Sequence, residues 1–355
     1  MPVSALVRTR FRTVAARFGA AAVAVCCAAA MAGCSSESDP ASSIVRTTTS
    51  IAGAGVVGLE RDTTQACPLP SAPDASGATR SVTHAAGVTE VPADPQRIVV
   101  LTTSALDAAC AVGLWERVVG AVTVPGERPQ PMFLGYGVLE IPGLGTAAAP
   151  DPAKIAELNP DVILGDVPSG AATYEALSAI APTVLVGSPA NWQAEFTAYA
   201  EGLNRRAAAD AALTAYRTEA RETGVALAAE LTEASVVRIT ADTVQVQGDN
   251  SFAGQVLADV GVRRPAAQRR ASFDVQPGAY ATEVEGDLVY VILAGPEGTE
   301  YGERVMRGDE WKDLGASTDR RVFAVEDHVW RGDGLTAARA LLTDLRDTLN
   351  GYVND

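Results

Sequence analysis

The hydrophobic and polar positions of this chain change their grammar at Gln96. From there, short apolar runs rich in β-branched residues alternate with stretches whose apolar residues recur every three or four positions, as strands followed by helices do. Arg97-Ile98-Val99-Val100-Leu101 reads as a strand and Ser104 to Leu114 as a helix. Ser104 is its expected N-cap, and Asp107 in its first turn favours the positive end of the helix dipole. Val118 to Val122 is a second strand. Pro152 to Leu158 is a helix stopped by Asn159-Pro160, Asp161 to Leu164 is a buried strand, and Tyr174 to Ile180 with Thr183 to Val186 repeats the pair. Alternation at this spacing predicts a parallel sheet with both faces covered.

The middle of the chain differs. Trp192 to about Leu231 is Ala-rich and helical, interrupted only near Gly202-Leu203-Asn204. Its second segment, about 25 residues from Arg205, would extend for roughly 40 Å, more than a crossover helix needs, and so is long enough to span two lobes. Strands then return at Ser235 to Thr240, Thr243 to Val246, Asp287 to Leu293 and Arg321 to Val325, with helices at Phe252 to Val260 and Thr336 to Leu349. The expected fold is α/β, with two parallel-sheet lobes joined by a single long backbone helix. Its boundaries are a lipoprotein signal over 1–33, a tether over 34–80, an N-terminal lobe over 81–190, connecting helices over 191–232 and a C-terminal lobe over 233–355.

The first 33 residues carry a different message. Four arginines (Arg8, Arg10, Arg12, Arg17) precede an apolar run from Phe18 to Gly33, too short for a membrane span and ordered like a secretory signal. Met31-Ala32-Gly33-Cys34 resembles a bacterial lipobox, although Met31 stands where Leu is usual; Cys34 would then be acylated and become the mature N-terminus. Two or more acyl chains would hold the protein durably on a membrane. The chain holds 28 basic and 43 acidic side chains, a formal net charge of −15, and losing the four signal arginines deepens it to −19. Nucleic acid is therefore not an expected partner. Setting aside Cys26, Cys27 and Cys34 leaves Cys67 and Cys110. In an exported protein they are disulfide candidates, while Cys110, on the apolar face of Ala105, Leu106, Ala109 and Val112, also reads as simply buried.

Residues 35 to about 80, rich in Ser, Thr, Ala, Pro and Gly, read as the tether. Gly53-Ala54-Gly55-Val56-Val57-Gly58 imitates a dinucleotide fingerprint, but no convincing strand precedes it and no βαβ unit surrounds it.

Three segments carry a resemblance: Glu90 to Leu101 (EVPADPQRIVVL), Ile155 to Leu164 (IAELNPDVIL), and Trp311-Lys312-Asp313-Leu314 running on to Arg321-Val322-Phe323-Ala324-Val325. Together they resemble the periplasmic-binding proteins of ferric-siderophore, haem and cobalamin ABC importers. The chain is most similar to actinobacterial FecB-type iron-siderophore-binding lipoproteins, with Ile51 to Gly55 in the tether and Asp327-His328-Val329-Trp330 in a late loop as further points of likeness. The resemblance implies two lobes with modest closure and a ligand between them, at the carboxyl ends of the strands where open parallel sheets bind.

Candidate site residues follow from position after strands. Thr102, Thr103 and Ser104 offer hydroxyls and backbone N–H groups to an anion, or ordinary capping. Arg128, Phe133 and Tyr136 share a Pro- and Gly-rich loop that would overhang the cleft and suit a flat anionic chelate, or else are a solvated Arg and packing aromatics. Trp192 and Trp330, one in each half, could clasp a planar ligand, although lone tryptophans are more often core. Arg238, Phe252, Arg269, Tyr301 and Arg331 complete the set from the second half. His84 and His328 are too few for a metal cage, so iron is expected to arrive already chelated, with no resident cofactor or protein-held metal.

Two departures qualify the resemblance. Ala147 stands where many members of the family place an Arg. Ala153 and Gly278 stand where importers of this class dock a permease through one Glu on each lobe, with Asp151, Glu157, Glu283 and Glu285 nearby. The expected role is a membrane-anchored monomer that binds a ferric siderophore or ferric citrate, serves an ABC permease and catalyses nothing. A haem receptor and an envelope adaptor uncoupled from a permease are the alternatives; no nucleophile, His and acid set is evident.

Overall fold

A computed structural model describes residues 46–47, 49–167 and 170–353. The signal and Cys34 lie outside the described residues. The chain enters through β1 (Arg46–Thr47), β2 (Ser50–Ile51) and β3 (Ala54–Val56), then forms a hairpin of β4 (Thr79–His84) and β5 (Gly87–Pro92). There follow β6 (Ile98–Val100), α1 (Thr103–Ala111), β7 (Val118–Thr123), β8 (Gly143–Thr146), β9 (Ala149–Pro150), α2 (Pro152–Glu157), β10 (Val162–Gly165), α3 (Tyr174–Ser178) and β11 (Thr183–Leu185). The helices α4 (Trp192–Gly202) and α5 (Arg206–Ala226) lead to β12 (Ala234–Ile239), β13 (Val244–Val246), α6 (Phe252–Val260), β14 (Phe273–Asp274), α7 (Tyr280–Glu283) and β15 (Leu288–Leu293). The chain ends with α8 (Gly295–Met306), α9 (Asp309–Lys312), α10 (Gly315–Thr318), β16 (Val322–Val325), α11 (Asp327–Trp330), α12 (Leu335–Thr348) and β17 (Tyr352–Val353).

Two sheets carry the fold. The first, in the order β11-β10-β6-β7-β8-β9, is parallel except for its edge strand β9; the second, β14-β13-β12-β15-β16-β3-β2, is parallel from β12 to β3. Their strands are apolar on both faces, as with Leu288 to Ile292 of β15, because helices cover both sides. Separate clusters around Ile163 and Val291 fill one side of each sheet. A third runs through α1, α4, α5, α6 and α12 and joins the two halves in one core. Helix starts follow the local chemistry: Asp151 accepts from Ala153 and Lys154 N–H groups ahead of Pro152, Asn191 from Ala194, and Ser251 from Gly254. Among the described residues no helix is long and apolar enough to cross a membrane.

The long helix is α5, 21 residues, about 32 Å at 1.5 Å per residue, packed against α4, α6 and α12. Asn204, at φ 57°, turns α4 into it. Three expectations change. The cap of α1 is Thr102, whose Oγ1 accepts from Ala105 N–H, because Ser104 is drawn toward α4. Asp107 is buried and serves a different helix. The segment from Ser50 to Val56, expected within the tether, adds two strands to the second sheet; Ala52 and Gly53, both at positive φ, make a tight hairpin turn there, so the Gly-rich stretch is hairpin and not nucleotide loop.

Candidate functional site

The carboxyl ends of the two sheets meet where α1, after β6, packs on α12, after β16. Asp107 makes the junction: its two carboxylate oxygens accept from the backbone N–H groups of Thr336 and Ala337, each at 2.9 Å, satisfying donors at the start of α12. A Cβ at Gly334 would lie 2.3 Å from the Asp107 carboxylate carbon, so only glycine permits this approach. Burial raises the Asp107 carboxyl to about 6 against the opposing pull of those two N–H groups. On the same helix, Cys110 is joined to Cys67 by a disulfide.

On the first sheet's side, Ser104 Oγ donates to Glu195 Oε1 at 2.6 Å and Thr102 Oγ1 lies 3.0 Å from the Tyr199 hydroxyl. Burial raises the Glu195 carboxyl to about 7; the Ser104 bond opposes this, and the charges of Asp333, Asp166 and Asp107 add to it. Beyond the ends of β6, β10 and β11 lies a cavity of about 280 Å³ lined by Thr102, Gly165, Asp166 and Leu185 among others. Asp166 Oδ1, buried there, has no hydrogen-bond partner among the described residues. Arg128 stands exposed in the turn after β7, closed by Val124 N–H donating to Pro129 O at 3.0 Å, and forms no ion pair among the described residues.

On the second sheet's side, Arg238 near the end of β12 donates through Nε to Asp327 Oδ1 at 3.2 Å. Arg331 Nη1 lies 3.6 Å from the same oxygen. Two guanidiniums therefore share the Asp327 carboxylate at the carboxyl end of this sheet, with Asp333 also in electrostatic reach of Arg331, and among the described residues both keep N–H donors that the protein does not engage. Such a pair suits the carboxylates or phenolates of an anionic chelate.

Thr103, Ser104, Arg128, Arg238 and Arg331 thus stand at carboxyl ends of strands, while the other candidates either lie elsewhere or, like Trp330 at the end of α11, are turned into the core. Trp192 is 2% exposed, edge-on to Tyr216 at 5.2 Å and to Phe252 at 5.8 Å, so both Trp192 and Phe252 are core of the helical layer. Trp330 is fully buried; its ring lies 4.3 Å from Tyr290 and its Nε1 donates to Asp344 Oδ2 at 2.8 Å, which satisfies the indole inside the protein. Phe133 is buried where its turn meets α12. Tyr136 is 71% exposed, but its neighbour Gly137 lies against Trp115, which precedes β7, so the loop has already returned to the amino end of the strands. Arg269 pairs with Glu233 before β12, at the opposite end from Arg238. Tyr301, on α8, packs with the cluster on the outer side of the second sheet.

The sequence reading passed over Glu195, Asp166, Asp327 and Asp333. Asp166 and Asp327 stand within two residues of strand ends, so the positional rule that raised Thr103 would have found them had it been applied to acids. Among the described residues no group of three or more His, Cys, Asp or Glu side chains could hold a metal ion. Ala153 and Gly278 are exposed, while the neighbouring acids Asp151 and Glu285 accept backbone N–H groups, Asp151 from Ala153 and Glu285 from Gly315.

A family model described as periplasmic binding protein matches residues 98–328. The protein named "Probable siderophore-binding lipoprotein YfiY" of Bacillus subtilis (strain 168) is 28% identical over 286 residues, covering 76% of this chain and 87% of its own length. The Fe(3+) dicitrate-binding periplasmic protein FecB of Escherichia coli (strain K12) is 27% identical over 255 residues, 70% of this chain and 83% of that one. The fold is shared with Staphylococcus aureus SirA, solved with staphyloferrin B, at a TM-score of 0.65 and 24% identity over 77% of this chain and 99% of that one.

Proposed function

Because the chain belongs to the periplasmic binding protein family, we propose that it is an extracytoplasmic solute-binding protein that captures an iron-bearing small molecule, a ferric siderophore or ferric citrate, for uptake. The carrying observation is the Arg238–Asp327–Arg331 cluster at the carboxyl ends of the second sheet, with Arg128 at the carboxyl end of the first. Relatives named as a probable siderophore-binding lipoprotein and as ferric-citrate-binding proteins support the same chemistry. The iron arrives chelated, the ligand's negative groups engage the arginines, and no covalent step occurs. Long-range repulsion from the acidic surface is screened beyond about 8 Å at physiological salt, so the local guanidiniums decide the interaction.

Acylation at Cys34 would hold the protein on the outer face of the cytoplasmic membrane as a monomer. Replacing Cys34 with Ala then releases it into the soluble fraction; retention of the variant on membranes overturns the anchor. One observation favours a second reading, an adaptor without a permease: the exposed docking positions are the neutral Ala153 and Gly278, and Asp151 and Glu285 are occupied as local acceptors, although exposed Glu157 lies one turn from Ala153 and the Glu310 carboxylate accepts from Gly278 N–H.

Titration of tryptophan fluorescence with ferric siderophores, ferric citrate and haem tests the main reading. A ferric siderophore or ferric citrate should bind below about 10 μM. Losing a charge-assisted contact in Arg238→Met or Arg331→Met should weaken it about tenfold or more. Absence of binding by every chelate overturns the receptor, and tight binding of haem alone moves the ligand class.

A further inference from the structure

The residues from Ser50 to Arg61 lie outside the span matched by the family model and form an arm on the second sheet. β3 pairs in parallel with β16, Gly55 opposite Phe323 and Val56 opposite Ala324, and Val57 N–H continues the ladder to Ala324 O at 3.0 Å. The arm therefore runs beside the strand that delivers Glu326, Asp327 and α11. Gly58, at φ +84°, then turns the chain, and a Cβ there would come within 2.5 Å of Arg61 Nη2, so this glycine also makes room for the guanidinium.

Arg61 uses that room to hold α11 at both ends. Its Nη1 donates to Glu326 Oε2 at 2.8 Å, at the N-cap position of α11. Its Nη2 donates to Asp344 Oδ1 at 2.6 Å, and the other oxygen of that carboxylate accepts from Trp330 Nε1, the last residue of α11. The Asp344 arm of the clamp is dry, with the Arg61 side chain 8% exposed and that of Asp344 1%, while Glu326 at the other arm is 30% exposed. Between its two points of attachment α11 carries Asp327, and Arg331 follows immediately, so two members of the ligand cluster ride on a single turn of four residues. A turn that short has little stability of its own and takes its position from outside contacts.

We infer that Arg61 is a positioning residue of the ligand site, fixing through Glu326 and Asp344 the turn that sets Asp327 and Arg331 against Arg238. This rests on the Arg238–Asp327–Arg331 cluster being the ligand site. A guanidinium is required because its planar fork reaches two carboxylates in fixed directions, which an ammonium does not. The arm that joins the membrane tether is on this view part of the binding machinery.

The test uses the full mature protein, with hydrogen exchange of residues 326–334 and affinity for ferric citrate as readouts. Arg61→Met should speed exchange at the Trp330 and Arg331 amides, which donate to Glu326 O and Asp327 O, and weaken ferric citrate about tenfold. Because that variant leaves Asp344 buried and unpaired, the double change Arg61→Met with Asp344→Asn is measured beside it. It should regain thermal stability but keep the fast exchange and the weak binding, whereas a merely structural role would restore all three. Arg61→Lys should fall between wild type and Arg61→Met. Wild-type exchange and wild-type affinity in a folded Arg61 variant, with Arg238→Met binding weakly, overturn the inference alone. If Arg238→Met and Arg331→Met bind as wild type does, the site reading fails and the inference with it.

Discussion

Trp192 and Trp330 show how much a side chain's surroundings outweigh its sequence neighbours. Each follows a strand, and Trp330 stands between His328 and Arg331, so both suggest exposed rings. Folding instead gives each indole an aromatic partner, and gives Trp330 a buried carboxylate for its N–H, a contact 14 residues away that periodicity cannot register. Neither ring can stack on a ligand from there. Trp192→Phe should therefore leave the affinity for a ferric chelate within about twofold of wild type, measured by isothermal titration, at a stability cost of about 1–3 kcal/mol for the altered packing. That Arg238, Arg331 and Ser104 stand at the carboxyl ends of strands was legible because those ends are visible in the pattern; the acids beside them are equally well placed but offer an anionic ligand no donor.

At the scale of elements, β6, β7, β10, β11, β12, β13, β15 and β16 were legible from their apolar runs, and α5 from its length and alanine content, whereas the short strands β8, β9 and β14 were not. Neither were β2 and β3, since two or three residues in a Ser-, Thr- and Gly-rich stretch carry no period, and β3 is a strand because β16 offers it an edge; the hairpin of β4 and β5, six residues each, was hidden by its largely polar, exposed sequence. The bridge between Cys67 and Cys110 pins the segment before β4 to α1 across 43 residues. Replacing both cysteines with Ser should lower the unfolding free energy by about 4 kcal/mol in the chain-entropy account, read from denaturant midpoints. The cap that α1 supplies to α12 is equally specific. Asp107→Ala leaves two N–H groups of α12 without acceptors in a buried junction and should cost about 2–3 kcal/mol in chemical denaturation.

For the whole molecule, titration of the junction sets a pH dependence. Asp107 and Asp344 move from an ordinary 3.8 to about 6, and Glu195 from 4.5 to about 7, burial being the first cause in each. The fold therefore binds more protons than the unfolded chain between about 4 and 7, so this contribution is fully present at the acid end and is lost as pH rises through 6 to 7. Asp94, held low by its bond to Arg205, acts oppositely below its ordinary range. Thermal midpoints should thus peak in mildly acidic buffer and decline toward pH 8, and Glu195→Gln should flatten the part of that decline nearest neutrality. A midpoint that climbs steadily from pH 5 to 8 contradicts this assignment.

The pairing of β3 with β16 also dictates where the chain can be trimmed. A shortened version starting at Ser81, where the composition-defined tether ends, loses both arm strands and the Cys67 half of the disulfide, bares the row of backbone donors and acceptors along Val322 to Val325, and strands Asp344 without its cation. Such a fragment should clump into oligomers during purification, whereas one begun at Thr49 should run as a single sharp peak on a sizing column.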